Sequence, residues 1–297
     1  MSYNVSLILG TVRHTLDMIK FEHSVFALPF ALTGALLAIH DAALPLDAVS
    51  TKLALIVLAM VGARSAGMTF NRIVDAQIDA RNPRTRTRQI PSGILSARFA
   101  WGFLLVAVTV FLLAAWLLNP LCLALSPLAL AIVLGYSLTK RFTSLSHLVL
   151  GFALGIAPAA AWIAIRGSLD LRILWLTAAV TFWTAGFDII YSCQDVDFDR
   201  AEKLFSVPKR FGIAGALWLS RLLHAAMIVC LLMLWHQFAL GWLGAAGVAA
   251  IAALLLYEHS LVKPNDLSRV NAAFFTVNGY VSVLFFVFWA ADVALRR

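Results

Sequence analysis

Nine apolar stretches set the limits on what this chain can become. They run roughly over 22–40, 52–72, 97–117, 120–137, 146–165, 171–193, 213–236, 238–258 and 270–293. Each is close to the ~20 residues that a helix needs to cross the hydrocarbon core of a bilayer. Backbone amides cannot go unpaired in lipid, so only helices and closed barrels span it. These runs are too long and too evenly apolar for the ~10-residue alternating strands of a barrel. The expected fold is therefore all-α: a polytopic membrane protein, a nine-transmembrane-helix bundle forming a single integral-membrane domain over 1–297. A chain with 62% hydrophobic and 13% charged residues and a mean hydropathy of +0.88 lies outside the range of soluble proteins.

The polar residues define the rest. Cys122, Cys193 and Cys230 are far apart and form no C-x2-C pair, so neither a zinc site nor a disulfide framework is indicated. Arg13, Asp17, Lys20 and Glu22 are spread along the N-terminus, unlike the design of a signal peptide, and the first membrane helix is expected to stay in the mature protein. The net charge of +8 resides in loops between spans, with no soluble domain to form a groove. Phosphates and lipid headgroups are thus the expected partners, and nucleic acid is not. No obligate protein partner is indicated. Lys and Arg at or beyond the span ends divide 16 against 5, the minority being Lys52, Arg166, Arg172, Arg296 and Arg297. By the positive-inside rule, the N-terminus and loops 72–98, 138–145 and 194–212 face the cytoplasm and the C-terminus lies outside, as in a bacterial inner membrane.

The densest chemistry closes the second run, where Asn71, Asp75 and Asp79 recur every four residues and so share one helix face. Two carboxylates one turn apart repel unless a cation joins them, and oxygen ligands at this spacing suit a hard ion such as Mg2+. The device recurs: Asp195 and Asp199 close the sixth run, with Asp188 seven residues earlier on the same stripe and Asp197 pointing away. Four helices separate the two clusters, so both reach the same membrane face and can share a site. Carboxylates that hold Mg2+, ringed by bases, suit a diphosphate whose tail lies among apolar helices. An isoprenoid diphosphate fits that description.

These residues resemble the UbiA superfamily of intramembrane prenyltransferases, and the likeness covers nearly the whole chain. Asn71, Asp75 and Asp79 match its N-x3-D-x3-D motif, while Asp195 and Asp199 match its D-x3-D motif. Arg64-Ser65-Ala66-Gly67, Tyr136-Ser137-Leu138-Thr139-Lys140-Arg141 and Tyr191 are similar to the family as well. The resemblance implies that the four aspartates hold two Mg2+ ions bridging a prenyl diphosphate, whose departure leaves an allylic cation for an aromatic ring to attack. Lys140 and Arg141 then stabilise the leaving group, and the apolar cavity keeps water from the cation. The implied acceptor is a small aromatic compound, 4-hydroxybenzoate or a related respiratory quinone precursor. Two departures bear on it. Arg72 stands where Asp often follows the leading Asn, and Ile19-Lys20-Phe21-Glu22-His23-Ser24 together with Asn82-Pro83-Arg84-Thr85 is closer to members associated with menaquinone synthesis.

Arg64 lies within a span, two turns deeper than Asn71 on the same face, where an unpaired guanidinium is costly. Its expected role is to bind a substrate anion, with structural pairing to another helix as the alternative. Arg221 reads as a snorkelling side chain, and His147, His224 and His236 as hydrogen-bonded helix residues. The arginine ladder over 81–88 admits a lid, a lipid-headgroup contact or a topology signal. Asn271 and Asn278 either line the cavity or bond between helices. A haem O synthase-like farnesyltransferase and a secondary transporter are the competing functions. The transporter fits less well, because coupling residues there sit near the midplane.

Overall fold

The computed structural model describes residues 2–20 and 24–296; Phe21, Glu22 and His23 of the opening stretch and Arg297 lie outside the described residues. The helices in chain order are α1 (Ser2–Met18), α2 (Ser24–Asp41), α3 (Leu46–Val74), α4 (Ala76–Arg81), α5 (Ala97–Leu118), α6 (Pro120–Thr139), α7 (Ser146–Arg166), α8 (Leu174–Ser192), α9 (Val196–Ala201), α10 (Val207–Gln237), α11 (Trp242–Leu261) and α12 (Asn278–Leu295). Among the described residues, eight helical segments are long and apolar enough to cross a membrane, and Phe26–Asp41 is a shorter apolar helix in the place of the first expected span. Each of the nine apolar runs thus becomes one helix of the bundle. Hydropathy does not reveal α1, which carries Arg13 and Asp17.

The span beginning at Leu171 is the most enclosed, 67% buried, and the one beginning at Pro120 the least, 11% buried. Helix α8 is therefore the centre of the bundle and α6 its least enclosed span, with several of its residues lining the central cavity. Small residues bring neighbours close to that centre: a Cβ at Gly151 would collide with the Thr181 backbone, so α7 and α8 pack nearly backbone to backbone. Polar caps set the helix ends. Asn119 accepts from the Cys122 amide (2.9 Å) to start α6 with Pro120 at its first position, and its side-chain amide donates to Ile163 O (2.9 Å) on α7. Gly212, at φ 71°, breaks α10 near its start, a conformation that favours glycine.

A buried polar brace crosses the bundle beside the centre. A π-helical turn, Ala272–Val277, precedes α12 and inserts an extra residue, which frees backbone carbonyls. The Asn278 side-chain amide donates to Ala273 O (3.1 Å), Phe274 O (3.2 Å) and Glu258 Oε1 (2.9 Å), while Trp183 Nε1 donates to Asn278 Oδ1 (2.7 Å). The π turn also shifts the register between Asn271 and Asn278. Asn271 lines the central cavity, whereas Asn278 is fully buried and bonds between helices.

The ends of the bundle differ in charge. Asp41 pairs with Arg166 (3.3 Å) and Arg172 (2.9 Å) at one end, where Lys52 donates to Ile165 O (2.9 Å). Lys52, Arg166 and Arg172, three of the minority bases of the sequence, thus gather at the end opposite the aspartate motifs.

Candidate functional site

Both aspartate motifs sit at the same kind of joint. Asp75 (φ −93°, ψ −1°) separates α3 from the six-residue α4, and Asp195 (φ −103°, ψ 7°) separates a 3-10 turn at the end of α8 from the six-residue α9. The expectation of one unbroken helix face is corrected here: each lead aspartate occupies the sparsely populated bridge between helical regions. The register nonetheless survives at the first joint. Asp75 N donates to Asn71 O (3.0 Å) and Asp79 N to Asp75 O (2.8 Å), while Asn71 Nδ2 donates to Asp75 Oδ2 (2.9 Å).

The loop after α4 joins the two motifs. Asn82 receives the Arg84 amide on Oδ1 (2.9 Å), a local turn that leaves its Nδ2 to donate to Asp195 Oδ1 (3.0 Å). Arg84 donates from Nε to Asp195 Oδ1 (2.9 Å), from Nη2 to Asp195 Oδ2, and from Nη1 to the Tyr191 hydroxyl (3.1 Å), with its guanidinium 5.1 Å from the Tyr191 ring centre. Burial disfavours the Arg84 charge, yet Asp195 outweighs that and holds the guanidinium above the usual arginine range. Arg88 donates to both Asp79 oxygens (2.8 Å each), and Arg81 pairs with Glu202 (2.8 Å) just beyond α9. The arginine ladder is therefore folded over the motifs. Spacing does not assign Asn82 or Glu202 to the site, and it places Arg84 and Arg88 there only under the lid reading of the ladder; the available signal is an Asn-Pro turn followed by bases directly after a carboxylate pair.

The remaining expected residues fall into three groups. Lys140 donates to Asp75 Oδ2 (2.6 Å) and Arg141 to Asp75 Oδ1 (3.2 Å) and Val74 O (2.6 Å), which places the end of α6 against the first motif. Arg64 and Arg72, on α3, donate to Lys20 O (3.3 Å) and Met18 O (3.2 Å), carbonyls at the end of α1. Asp188 is hydrogen-bonded to His147 (2.6 Å), and Tyr191 packs against Phe274 at 4.2 Å between ring centres with the planes tilted by 34°. Asp197 is 91% exposed and pairs with Arg200, pointing away as its spacing implies. Among the described residues, Asp199 has no Arg or Lys at ion-pair distance, unlike Asp75, Asp79 and Asp195.

Beside these groups lies a cavity of about 970 Å³, reaching from Arg64, Asn71 and Arg84 to apolar walls as far as Leu118 and Leu174. Tyr136, Asp188, Tyr191 and Arg88 line it too, but the four motif aspartates do not; basic partners cover Asp75, Asp79 and Asp195. No three His, Cys, Asp or Glu side chains among the described residues converge as a metal cluster. The donor set of Asp75, Asp79, Asp195, Asp199 and Asn71 is nevertheless all oxygen, drawn together by Asn82 and Arg84, and fits a hard divalent cation. A polar mouth rich in exchangeable cations above an apolar chamber can bind an anionic head with a hydrocarbon tail.

Comparisons with known proteins agree with that geometry. The UbiA prenyltransferase family matches residues 27–289. The chain is similar to 4-hydroxybenzoate octaprenyltransferases of Vibrio atlanticus (strain LGP32), 31% identical over 247 residues covering 80% of this chain and 84% of that one, and of Sodalis glossinidius (strain morsitans), 31% identical over 256 residues covering 86% and 87%. Its fold is similar to that of a UbiA homolog from Aeropyrum pernix K1 in its apo form (TM-score 0.82, 36% identity, 91% and 98% covered). It also resembles a UbiA homolog from Archaeoglobus fulgidus bound to GPP and Mg2+ (TM-score 0.70, 19% identity, 95% and 99% covered). The match over most of the chain, on an integral-membrane helical bundle, establishes that this protein belongs to the UbiA prenyltransferase family and is a prenyltransferase.

Proposed function

We propose that this enzyme transfers a polyprenyl group from a prenyl diphosphate to 4-hydroxybenzoate or a closely related aromatic quinone precursor, with Mg2+ held by Asp75, Asp79, Asp195 and Asp199. The observation that carries the reading is the meeting of both aspartate motifs, through Asn82 and Arg84, at the polar mouth of the apolar cavity. The names of the relatives support the acceptor, and the Archaeoglobus homolog supports the metal and the diphosphate.

Bound metal supplies positive charge to the diphosphate oxygens. The chain's own residues do the rest. Arg84, Arg88, Lys140 and Arg141 neutralise carboxylates in this structure and lie where they can turn to the leaving diphosphate as its charge grows. Tyr191 and Phe274 form an aromatic wall directly beneath Arg84, suited to an allylic cation. Arg64 orients the acceptor carboxylate by bidentate pairing, deep enough to keep the two anions apart. Arg72, Tyr136 and Asn71 shape the mouth around the diphosphate. The 16 to 5 bias of bases supports a mouth on the cytoplasmic face of a bacterial inner membrane.

Purified enzyme incubated with Mg2+, geranyl diphosphate and a panel of aromatic acids, followed by mass spectrometry, tests the assignment. A prenylated 4-hydroxybenzoate is expected; prenylation of another acceptor, with 4-hydroxybenzoate untouched, would overturn the choice of acceptor.

A further inference from the structure

Alkylation of an aromatic ring ends with a proton. The ring carbon that gains the prenyl group must lose its hydrogen, and none of the residues assigned above receives it. We propose that Asp188 is the catalytic base that removes this proton, and that His147 is the positioning residue that holds its carboxylate. The inference rests on the aromatic acceptor proposed above.

Asp188 differs from the other carboxylates of the site. It lines the cavity, which none of the four motif aspartates does, and, unlike Asp75, Asp79 and Asp195, it has no Lys or Arg at ion-pair distance among the described residues. The other cavity-lining carboxylate, Asp17, is an exposed residue at the mouth on α1. The partner of Asp188 is His147, with Nδ1 2.6 Å from Oδ2. The tautomer follows from the far side of the ring. His147 Nε2 lies 3.3 Å from the Val207 amide, which can only donate, so Nε2 is the acceptor and Nδ1 carries the hydrogen that Asp188 receives. One carboxylate oxygen is thus fixed. Oδ1 makes no hydrogen bond among the described residues, and the side chain is 25% exposed.

Depth places the group where the proton is released. Asp188 is seven residues before Asp195, roughly 10 Å deeper along the helix, and Arg64 is seven residues before Asn71, the same distance down α3. An acceptor with its carboxylate at Arg64 and its reactive carbon under the diphosphate has its carboxylate at the level of Asp188 and its ring just above, toward the motifs. In the step, the C1–O bond of the prenyl diphosphate breaks and its electron pair leaves on the diphosphate oxygen. The ring carbon beside the phenolic oxygen gives a π pair to C1, forming the C–C bond. The C–H pair then returns to the ring as the proton passes to Asp188, which releases it to water when product leaves. Where proton removal fails, the competing fate of the prenyl cation is capture by water, which yields the prenyl alcohol and a proton.

The test uses the full chain in lipid nanodiscs with Mg2+, geranyl diphosphate, and 4-hydroxybenzoate either unlabelled or deuterated at positions 3 and 5. The wild-type protein should show no primary isotope effect, because proton loss follows a slower ionisation. Asp188→Asn should lower transfer by roughly 10²–10⁴-fold, the range typical of a lost general base, with a primary isotope effect appearing and prenyl alcohol still released. Asp188→Glu should recover part of the transfer, and His147→Ala should lower kcat with the KM for geranyl diphosphate unchanged. Full transfer by Asp188→Asn without an isotope effect would overturn the proposal. So would a parallel loss of alcohol release and transfer in both Asp188→Asn and Asp188→Glu, which would mark a structural or diphosphate-binding role. A wild-type protein that releases alcohol but prenylates no aromatic acid would sink the acceptor reading, and the base with it.

Discussion

Arg84 is the residue whose removal should produce two effects of opposite sign. It forms two charge-assisted hydrogen bonds with Asp195, and the pair is partly exposed, 31% for the arginine side chain and 17% for the aspartate. Screening at that exposure leaves the pair about 1 kcal/mol, or about fivefold in an equilibrium. If Mg2+ must share Asp195 with Arg84, that amount is a cost of metal binding. Arg84→Ala should therefore tighten the half-saturating Mg2+ concentration by about fivefold by relieving the competition. The same change deprives the departing diphosphate of a cation, and loss of one such donor typically lowers kcat by about 100-fold or more. Arg84→Lys should keep part of the kcat, since it retains charge without the bidentate geometry. Initial rates measured across a Mg2+ titration at saturating prenyl diphosphate separate the two effects. A half-saturation point that rises in Arg84→Ala, or an unchanged kcat, would refute the view that Arg84 exchanges between Asp195 and the substrate.

Further outcomes follow from the same geometry. Arg64→Ala should raise the KM for the aromatic acid more than that for the prenyl diphosphate, while Lys140→Ala should lower kcat, because leaving-group charge grows in the transition state; steady-state kinetics with the reverse pattern would exchange the two roles. Asn278→Ala strands the Trp183 indole N–H and Glu258 Oε1 in the bundle interior and should cost about 3 kcal/mol, read as a lowered midpoint in a denaturant titration; an unchanged midpoint would show that the brace adds no stability. A cysteine placed at Ser92 should react with a membrane-impermeant maleimide in inverted membranes and not from outside intact cells; labelling from outside would reverse the topology.

Much of this was legible in the sequence because lipid simplifies the problem. A backbone that must satisfy its own amides reduces each apolar run to a helix, and all nine runs became helices of the bundle, most limits within about four residues of those expected and the starts of α3, α10 and α12 six to eight residues away. Regular spacing likewise singles out Asn71, Asp75, Asp79, Asp195 and Asp199 as candidates, since period and chemistry coincide there. What remained hidden depended on tertiary contact. The role of the 81–88 ladder is set by where Arg84 and Arg88 reach across to Asp195 and Asp79, and nothing local encodes that reach. The π turn before Asn278 leaves the hydropathy pattern unchanged while altering the face on which the residue sits. Helix α1 was missed because its charges interrupt an otherwise apolar stretch, and the carbonyls that receive Arg64 and Arg72 belong to that helix end.

The central claim is that the two aspartate motifs form one divalent-metal site that drives loss of diphosphate. It is tested most directly by measuring prenyl transfer to 4-hydroxybenzoate in chelator-treated enzyme as Mg2+ is restored, alongside Asp75→Ala, Asp79→Ala, Asp195→Ala and Asp199→Ala. The account predicts no transfer in chelator, full recovery with Mg2+ in the wild-type protein, and no recovery in any of the four variants. Normal turnover in thorough chelator, or in Asp75→Ala, would contradict it.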